Sequence, residues 1–181
     1  MTNAATLTAR DWLKREPLYL DTETTGLDET AQIVEIAILD AAGNALLNER
    51  IKPSIDIDAG AERVHGISAA ALIDCPSWPE IAPTIEKILK GRTVVIFNAE
   101  YDSRILRQTA AAFDDPLNWF DDSKTLCAMY LAADMYGATN RYGTISLLNA
   151  CSAAGVKWRG NAHSALADTY ATFDLVQQIA R

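Results

Sequence analysis

The sequence predicts an α/β fold in which a mixed sheet carries helices on its faces. An apolar strand at residues 18–20 comes first, and strands at 32–40 and 44–51 flank the turn at 41–44 as an antiparallel hairpin. After the hairpin, an apolar strand at 93–97 alternates with segments of helical periodicity. This order of a strand, a hairpin and then strand–helix alternation implies a mixed sheet.

The helices are placed by apolar spacing and by capping residues. A helix at 9–15 makes residues 1–16 an N-terminal helical extension, short helices are expected within 59–73, and a longer helix covers 80–89. Asn98 is expected to cap the helix that follows the strand at its amino side. The remaining expected elements are that helix at 99–112, a last short strand at 119–121, and helices at 125–135, 146–154 and 164–180.

The composition is typical of one globular domain that spans residues 1–181. Apolar residues make up 49% of the chain and charged residues 22%, which excludes a disordered protein. No apolar run approaches the roughly 20 residues that span a bilayer, and residues 1–10 do not form a charged-then-apolar leader. We therefore expect no membrane partner and a cytoplasmic location. The three cysteines lack metal-ligand spacing and are expected to be reduced.

The acidic balance of the chain limits the kind of nucleic-acid partner it can have. A net charge of −8 disfavours a protein that binds long duplexes, because such proteins neutralise many phosphates with lysine and arginine. It does not exclude an enzyme that holds a few terminal nucleotides. Divalent cations bound to clustered carboxylates would place positive charge where the phosphate lies.

A pair of carboxylates follows the first strand. Asp21 and Glu23 begin the segment Asp-Thr-Glu-Thr-Thr-Gly, and side chains two residues apart on a strand point to the same face. Two neighbouring anions repel each other unless a cation lies between them. The pair therefore predicts a metal site, with a solvated turn as the alternative.

Two further aspartates and a histidine complete the candidate set. Asp102 lies in the first turn of its helix on the face of Leu106, so it is expected to point inward; complementing the helix N-terminus is the alternative. His163 precedes Asp168 by five residues, which stand about 140° apart on a helix. The two converge only if His163 lies in the loop before the helix, as the capping residue Ser164 indicates.

Four carboxylates and one histidine form a set that suits two hard metal ions beside a general base. The chemistry that they indicate is metal-assisted hydrolysis of a phosphodiester. The other histidine, His65, has no acidic partner in register and is expected to pack or to contact substrate rather than to act as a base.

In these segments the chain resembles the DEDD exonuclease superfamily, in the DnaQ-like branch whose third motif carries histidine. The matching positions are Asp21 and Glu23 in the first motif, Asp102 in the second, and His163 and Asp168 in the third. The segment Val64-His65-Gly66-Ile67 also looks like one in the polymerase-type members. The resemblance extends from about residue 18 to residue 175. It implies a ribonuclease H-like fold with a central five-stranded mixed sheet flanked by helices.

The resemblance further implies a 3′→5′ exonuclease that releases 5′-mononucleotides with two Mg²⁺ ions, for which Mn²⁺ should substitute. Asp21, Glu23 and Asp168 would hold the ion that binds the attacking water. Asp21 would also hold the ion at the leaving 3′ oxygen, and Asp102 would act on that ion through water. His163 would take the proton of the water.

A platform for the 3′ nucleotide is also implied by the resemblance. The residues expected to contact the substrate are Thr24, Gly26, Leu27, His65, Phe97 and Asn98. Leu27 should wedge against the bases, and a core position is the alternative for Phe97, where many relatives carry histidine. Exposed bases stack on apolar or aromatic groups, so single-stranded or frayed DNA is the favoured substrate.

Other functions stay open at this point. An RNA-trimming exonuclease of the ribonuclease T or oligoribonuclease type differs by a 2′-OH contact that the sequence does not locate. A non-catalytic subunit that binds nucleic acid or a partner has no need of clustered carboxylates. We expect no partner-binding tail rich in Gln, Pro or Gly, and therefore a free-standing nuclease in place of a polymerase-bound subunit. The sequence does not decide whether a polymerase or a second copy is a partner.

Overall fold

The computed structural model describes residues 3–160 and 162–181, and it centres on a five-stranded sheet with helices on both faces. The strands are β1 (Leu18–Thr24), β2 (Ile33–Leu39), β3 (Ala45–Arg50), β4 (Val94–Ile96) and β5 (Thr125–Cys127). The α-helices of the described residues are α1 (Ala4–Leu13), α2 (Ala59–His65), α3 (Trp78–Leu89), α4 (Ala99–Ala112), α5 (Ala128–Tyr136), α6 (Leu147–Ala154) and α7 (Ala165–Ile179). Residues 1 and 2 of the expected N-terminal extension lie outside the described residues.

The sheet has the strand order β3-β2-β1-β4-β5. β1, β2 and β3 pair antiparallel, whereas β4 pairs parallel with both β1 and β5. The hairpin of β2 and β3 and the mixed sheet of five strands are therefore confirmed. The carboxyl ends of β1 and β4 meet at one edge of the sheet, because these two strands run side by side in the same direction.

Alternation along β1 divides the core into two layers. Leu18 and Leu20 pack in the cluster that contains residues of α3 and α4, whereas Tyr19 packs in the cluster that contains residues of α1, α5 and α7. Successive strand residues point to opposite faces. Asp21 and Glu23 therefore continue the face of Tyr19, which α7 covers.

The expected last strand at 119–121 is wrong. The fifth strand is β5, and its residues pair with β4 in the register Val94↔Thr125. Phe120 is instead buried in the core on the α4 side, and Trp119 packs partly against the same cluster. Trp119 and Phe120 thus lie in the connection between α4 and β5. The helix expected from residue 125 accordingly begins only at Ala128.

The first helix begins earlier than the spacing of Trp12 and Leu13 predicts. Asn3 is its N-cap, and the Asn3 side chain accepts a hydrogen bond from the Ala5 N–H at 2.9 Å. This bond satisfies one of the amide groups that the first turn of a helix leaves free. Ala5, Ala9 and Trp12 then pack on the α5–α7 layer.

Within the described residues, no helix is both long and apolar enough to cross a membrane.

Candidate active site

Asp21 and Glu23 lie near the carboxyl end of strand β1, on the face that α7 covers. One carboxylate oxygen of each lies within 4.8 Å of the other and of an Asp168 oxygen. Three carboxylate oxygens this close together can coordinate a divalent cation such as Mg²⁺ or Mn²⁺. The structure therefore brings together the three carboxylates that the sequence analysis assigned to one metal ion.

The start of α7 places Asp168 against the sheet. Ser164 is the N-cap of α7, and its Oγ accepts a hydrogen bond from the Ala167 N–H at 3.3 Å. Asp168 follows in the first turn, and α7 packs on both β1 and β2. The helix begins where the sequence predicts, and its first turn brings Asp168 of the third motif to the end of β1.

His163 lies in the loop directly before this helix, as its convergence with Asp168 requires. Its backbone N–H donates to the Asp168 Oδ1 at 3.2 Å, and its side chain is exposed. The φ angle of His163 is +64°, in the left-handed region that residues with a Cβ seldom adopt. Such backbone strain concentrates at functional sites. The loop thus places an accessible imidazole beside the carboxylate group.

Asp102 approaches from the opposite side of β1. It lies in the first turn of α4, is only 4% exposed, and its Oδ1 accepts the Thr22 hydroxyl proton at 2.7 Å. The inward orientation expected for Asp102 is therefore confirmed, whereas the neighbouring Glu100 is exposed. In the described part of the chain, Asp102 is not a member of the close group formed by the other three carboxylates.

Burial and mutual repulsion both disfavour ionisation of these carboxylates. Burial raises the pKa of Asp21 well above its usual range, and the charges of Asp102, Asp168 and Glu23 raise it further. Burial, followed by the charge of Asp168, raises the pKa of Glu23 to about 8. Burial raises the pKa of Asp102 to about 7, against hydrogen bonds from Thr22 that lower it. A divalent cation reverses this penalty, because it favours the charged form of every carboxylate that it contacts.

An open cleft of about 750 Å³ lies beside Glu23. It is lined by the loop after β1, where Leu27 is 80% exposed, and by α2, where Val64 is 55% exposed. Tyr101 also lines the cleft. Exposed apolar side chains beside a carboxylate group suit a ligand that has both a flat ring and a phosphate.

His65 joins α2 to the end of β1, and both of these elements line the cleft. Its Nε2 donates to the Thr24 carbonyl at 3.1 Å, while its Nδ1 accepts the Ile67 N–H at 3.0 Å. These two contacts assign the proton to Nε2. Burial lowers the pKa of His65, which favours this neutral form. His65 lines the cleft but is engaged in holding α2 against the end of β1.

The remaining sequence candidates divide between the cleft and the core. Thr24, Gly26 and Asn98 line the cleft. Asn98 occupies the N-cap position of α4, but it is exposed and its side chain makes no capping hydrogen bond. Phe97 is 8% exposed and packs in the core layer that contains Tyr19. The structure does not bring Phe97 to the cleft, which favours the core alternative for this residue.

Two residues of the site are absent from the sequence analysis. The Tyr101 hydroxyl donates to the Gly26 carbonyl at 3.1 Å and lies 2.9 Å from the Thr24 hydroxyl, so it holds the loop that carries Leu27. Glu35 is a buried carboxylate on β2. The signal for Glu35 is one charge within the otherwise apolar strand of residues 33–39.

Known proteins that are similar to this chain are exonucleases. The family model for exonucleases of the ribonuclease T type matches residues 18–176. The uncharacterized exonuclease CP81 of Escherichia phage 186 is 36% identical over 179 residues, which cover 96% of this chain and 92% of the relative. The DNA polymerase III subunit epsilon of Buchnera aphidicola is 26% identical over 168 residues, with 87% and 69% coverage.

Solved structures share the architecture. Exonuclease X in complex with 5′ overhanging duplex DNA superimposes with a TM-score of 0.68 at 25% identity, covering 90% of this chain and 89% of that one. Apo exonuclease I gives a TM-score of 0.71 at 19% identity and covers 90% of this chain and 41% of that one. The sheet order is thus the ribonuclease H-like order of these nucleases. From the matched family model and the phage relative together, the chain belongs to the DnaQ-like DEDD exonucleases.

Proposed function

We propose that this protein is a divalent-metal-dependent 3′→5′ exonuclease that releases 5′-mononucleotides from single-stranded or frayed DNA ends. The observation that carries the proposal is the convergence of Asp21, Glu23 and Asp168 beside an open, largely apolar cleft that Glu23 lines. A binding subunit without turnover gains nothing from three mutually repelling carboxylates. A hydrolase that requires metal ions does.

The residues of this chain divide the work of hydrolysis. Asp21, Glu23 and Asp168 would hold the metal, and Mg²⁺ is the ion that suits their oxygen ligands. When bound, divalent ions activate water and stabilise charge on the phosphate oxygens. His163 would take the proton of the attacking water, as the water oxygen bonds to phosphorus and the bond to the leaving 3′ oxygen breaks.

The cleft suits an unpaired terminal nucleotide. Leu27 and Val64 both line the cleft with exposed side chains, so a terminal base that enters it meets apolar groups. A paired base would need to leave its partner first, which favours single strands and frayed ends. The DNA-bound state of exonuclease X, a relative with 25% identity, supports DNA as the nucleic acid. The epsilon-subunit relatives make a polymerase a candidate partner.

The test uses the purified chain with 5′-labelled DNA and RNA oligonucleotides that are single-stranded, 3′-recessed or 3′-overhanging. We expect a ladder that shortens from the 3′ end with Mg²⁺ or Mn²⁺, faster on single-stranded DNA than on RNA, and no reaction in EDTA. Asp21→Asn is the inactive control. Faster loss of RNA would replace DNA with RNA as the substrate, and an intact label on every substrate would refute the exonuclease.

A further inference from the structure

Glu35 is a buried carboxylate that the proposed mechanism does not use. Its side chain is 11% exposed, and its Cα lies directly across the β1–β2 ladder from that of Glu23. Residues paired across an antiparallel ladder point to the same face of the sheet. Glu35 therefore shares with Glu23 the face that α7 covers.

Both oxygens of Glu35 are engaged. Its Oε2 accepts the Ala165 N–H at 2.9 Å in a buried hydrogen bond, and its Oε1 accepts the Arg50 Nε–H at 3.3 Å. Ala165 is the first residue of α7, where a backbone N–H has no partner within the helix. Glu35 thus joins the sheet to the first turn of α7, and Asp168 lies in that same turn.

A fourth carboxylate at this place costs free energy. The negative charge of Glu35 is among the causes that raise the pKa of both Asp21 and Glu23. An apolar side chain would avoid that repulsion while still filling the space, but it could not accept a hydrogen bond. The contact with the Ala165 N–H is therefore the observation that explains why an acceptor lies here.

We propose that Glu35 is a positioning residue that fixes the start of α7 so that the Asp168 carboxylate meets those of Asp21 and Glu23. It touches neither the substrate nor the metal in this assignment and acts through Asp168. The inference rests on the proposed function, because that function assigns the three carboxylates to a metal ion. Residues that orient metal ligands from behind typically change metal affinity or activity by about 10–100-fold when they are replaced.

The test compares Glu35→Ala and Glu35→Gln with a matched pair, Glu80→Ala and Glu80→Gln. Glu80 also binds the start of a helix, since its Oε2 accepts the Ser77 N–H at 2.7 Å, but it belongs to α3, away from the carboxylates. Mn²⁺ affinity is measured by calorimetry, and kcat and KM are measured on a single-stranded oligonucleotide.

We expect Glu35→Ala to weaken Mn²⁺ binding and to lower kcat by about 10–100-fold, with little change in KM. Glu35→Gln should recover most of both, because its amide oxygen can still accept the Ala165 N–H. The Glu80 variants should lower the melting temperature and leave Mn²⁺ affinity unchanged. A merely structural role of Glu35 would move only the melting temperature.

A second variant acts from the other side of the hydrogen bond. Ala165→Pro removes the donor, and proline is well tolerated at the first position of a helix. If Glu35→Ala fails to fold, Ala165→Pro takes its place and should reproduce the loss of Mn²⁺ affinity and kcat. Mn²⁺ affinity and kcat within twofold of the wild type in the folded variants would overturn the positioning role while leaving the exonuclease intact. Weaker Mn²⁺ binding by Glu35→Ala in a protein that degrades no substrate would keep the positioning role and remove the proposed function.

Discussion

Thr22 on β1 and Asp102 on α4 are joined by one buried hydrogen bond, from the Thr22 hydroxyl to the Asp102 Oδ1 at 2.7 Å. Thr22 stands on β1 between Asp21 and Glu23 but points to the opposite face, towards α4. The strand that supplies two ligands to the α7 side therefore also orients the carboxylate on the α4 side. The site is built on both faces of a single strand end.

Thr22→Val removes this hydroxyl with little change in volume. The hydrogen bond lowers the pKa of Asp102, so its loss should raise that pKa and move the acidic limb of the pH–rate profile to higher pH. The buried carboxylate also loses a donor, which should lower the free energy of unfolding by about 1–3 kcal/mol. Thr22→Ser keeps a hydroxyl and should keep the wild-type profile. Coincident acidic limbs for Val and Ser would show that the bond does not tune Asp102.

His163 and His65 should fail in different ways. His163→Ala should lower kcat by about 10²–10⁴-fold with a small effect on KM, because it removes the base and no part of the cleft wall. His65→Ala loses the bond to the Thr24 carbonyl, so it should raise KM and lower the melting temperature. Steady-state kinetics on one single-stranded oligonucleotide compares them. A larger loss of kcat in His65→Ala than in His163→Ala would reverse the two roles.

The metal-free protein should lose stability as the pH rises. The pKa of Glu23 in the fold is raised from 4.5 to about 8, so its contribution to the free energy of unfolding is present below pH 4.5 and is lost as the pH rises through 8. The raised pKa values of Asp21 and Asp168 act in the same direction. The melting temperature in EDTA should therefore fall between pH 5.5 and pH 8.5.

Two controls accompany that melting series. Glu23→Gln cannot ionise and should flatten the fall. Mn²⁺ should raise the melting temperature more at pH 8.5 than at pH 5.5, because bound metal stabilises the native state and its ligands are the charged carboxylates. A melting temperature in EDTA that rises from pH 5.5 to pH 8.5, equally in the wild type and in Glu23→Gln, would contradict the repulsion described here.

Leu27 offers a test of the cleft. Leu27→Ala should raise KM for single-stranded DNA by roughly tenfold, since burying a leucine side chain is worth about 1.5–3 kcal/mol, and leave Mn²⁺ affinity unchanged. Leu148→Ala is the matched control, because Leu148 is also largely exposed and lies on α6. Equal kinetics for the two variants would remove Leu27 from the substrate path.

The carboxylate group could be predicted because its geometry is local. The two-residue spacing of Asp21 and Glu23 fixes their common face, and Ser164 marks where the last helix begins. The remaining step, bringing α7 over β1, follows from the apolar face that both elements bury. The meeting of Asp168 with the pair is therefore encoded in short stretches of sequence.

The features that were missed depend on pairing between distant segments. β5 has three residues, too few to show periodicity, and only its register with Val94 distinguishes it from residues 119–121. The position of Glu35 opposite Glu23 depends on the register of β1 with β2. A bulge between Glu23 and Thr24 changes that register directly after this pair. Phe97 faces the core because it continues the alternation of Val95 beyond the short strand β4.

The central claim is that Asp21, Glu23 and Asp168 bind a divalent metal ion together. The most direct measurement is an anomalous difference map from a crystal grown with Mn²⁺ and a 5′-mononucleotide. The claim predicts a peak at about 2.0–2.6 Å from one oxygen of each of the three carboxylates, with the nucleotide phosphate beside it. A map in which Mn²⁺ binds elsewhere on the protein and leaves these three carboxylates without a peak would contradict it.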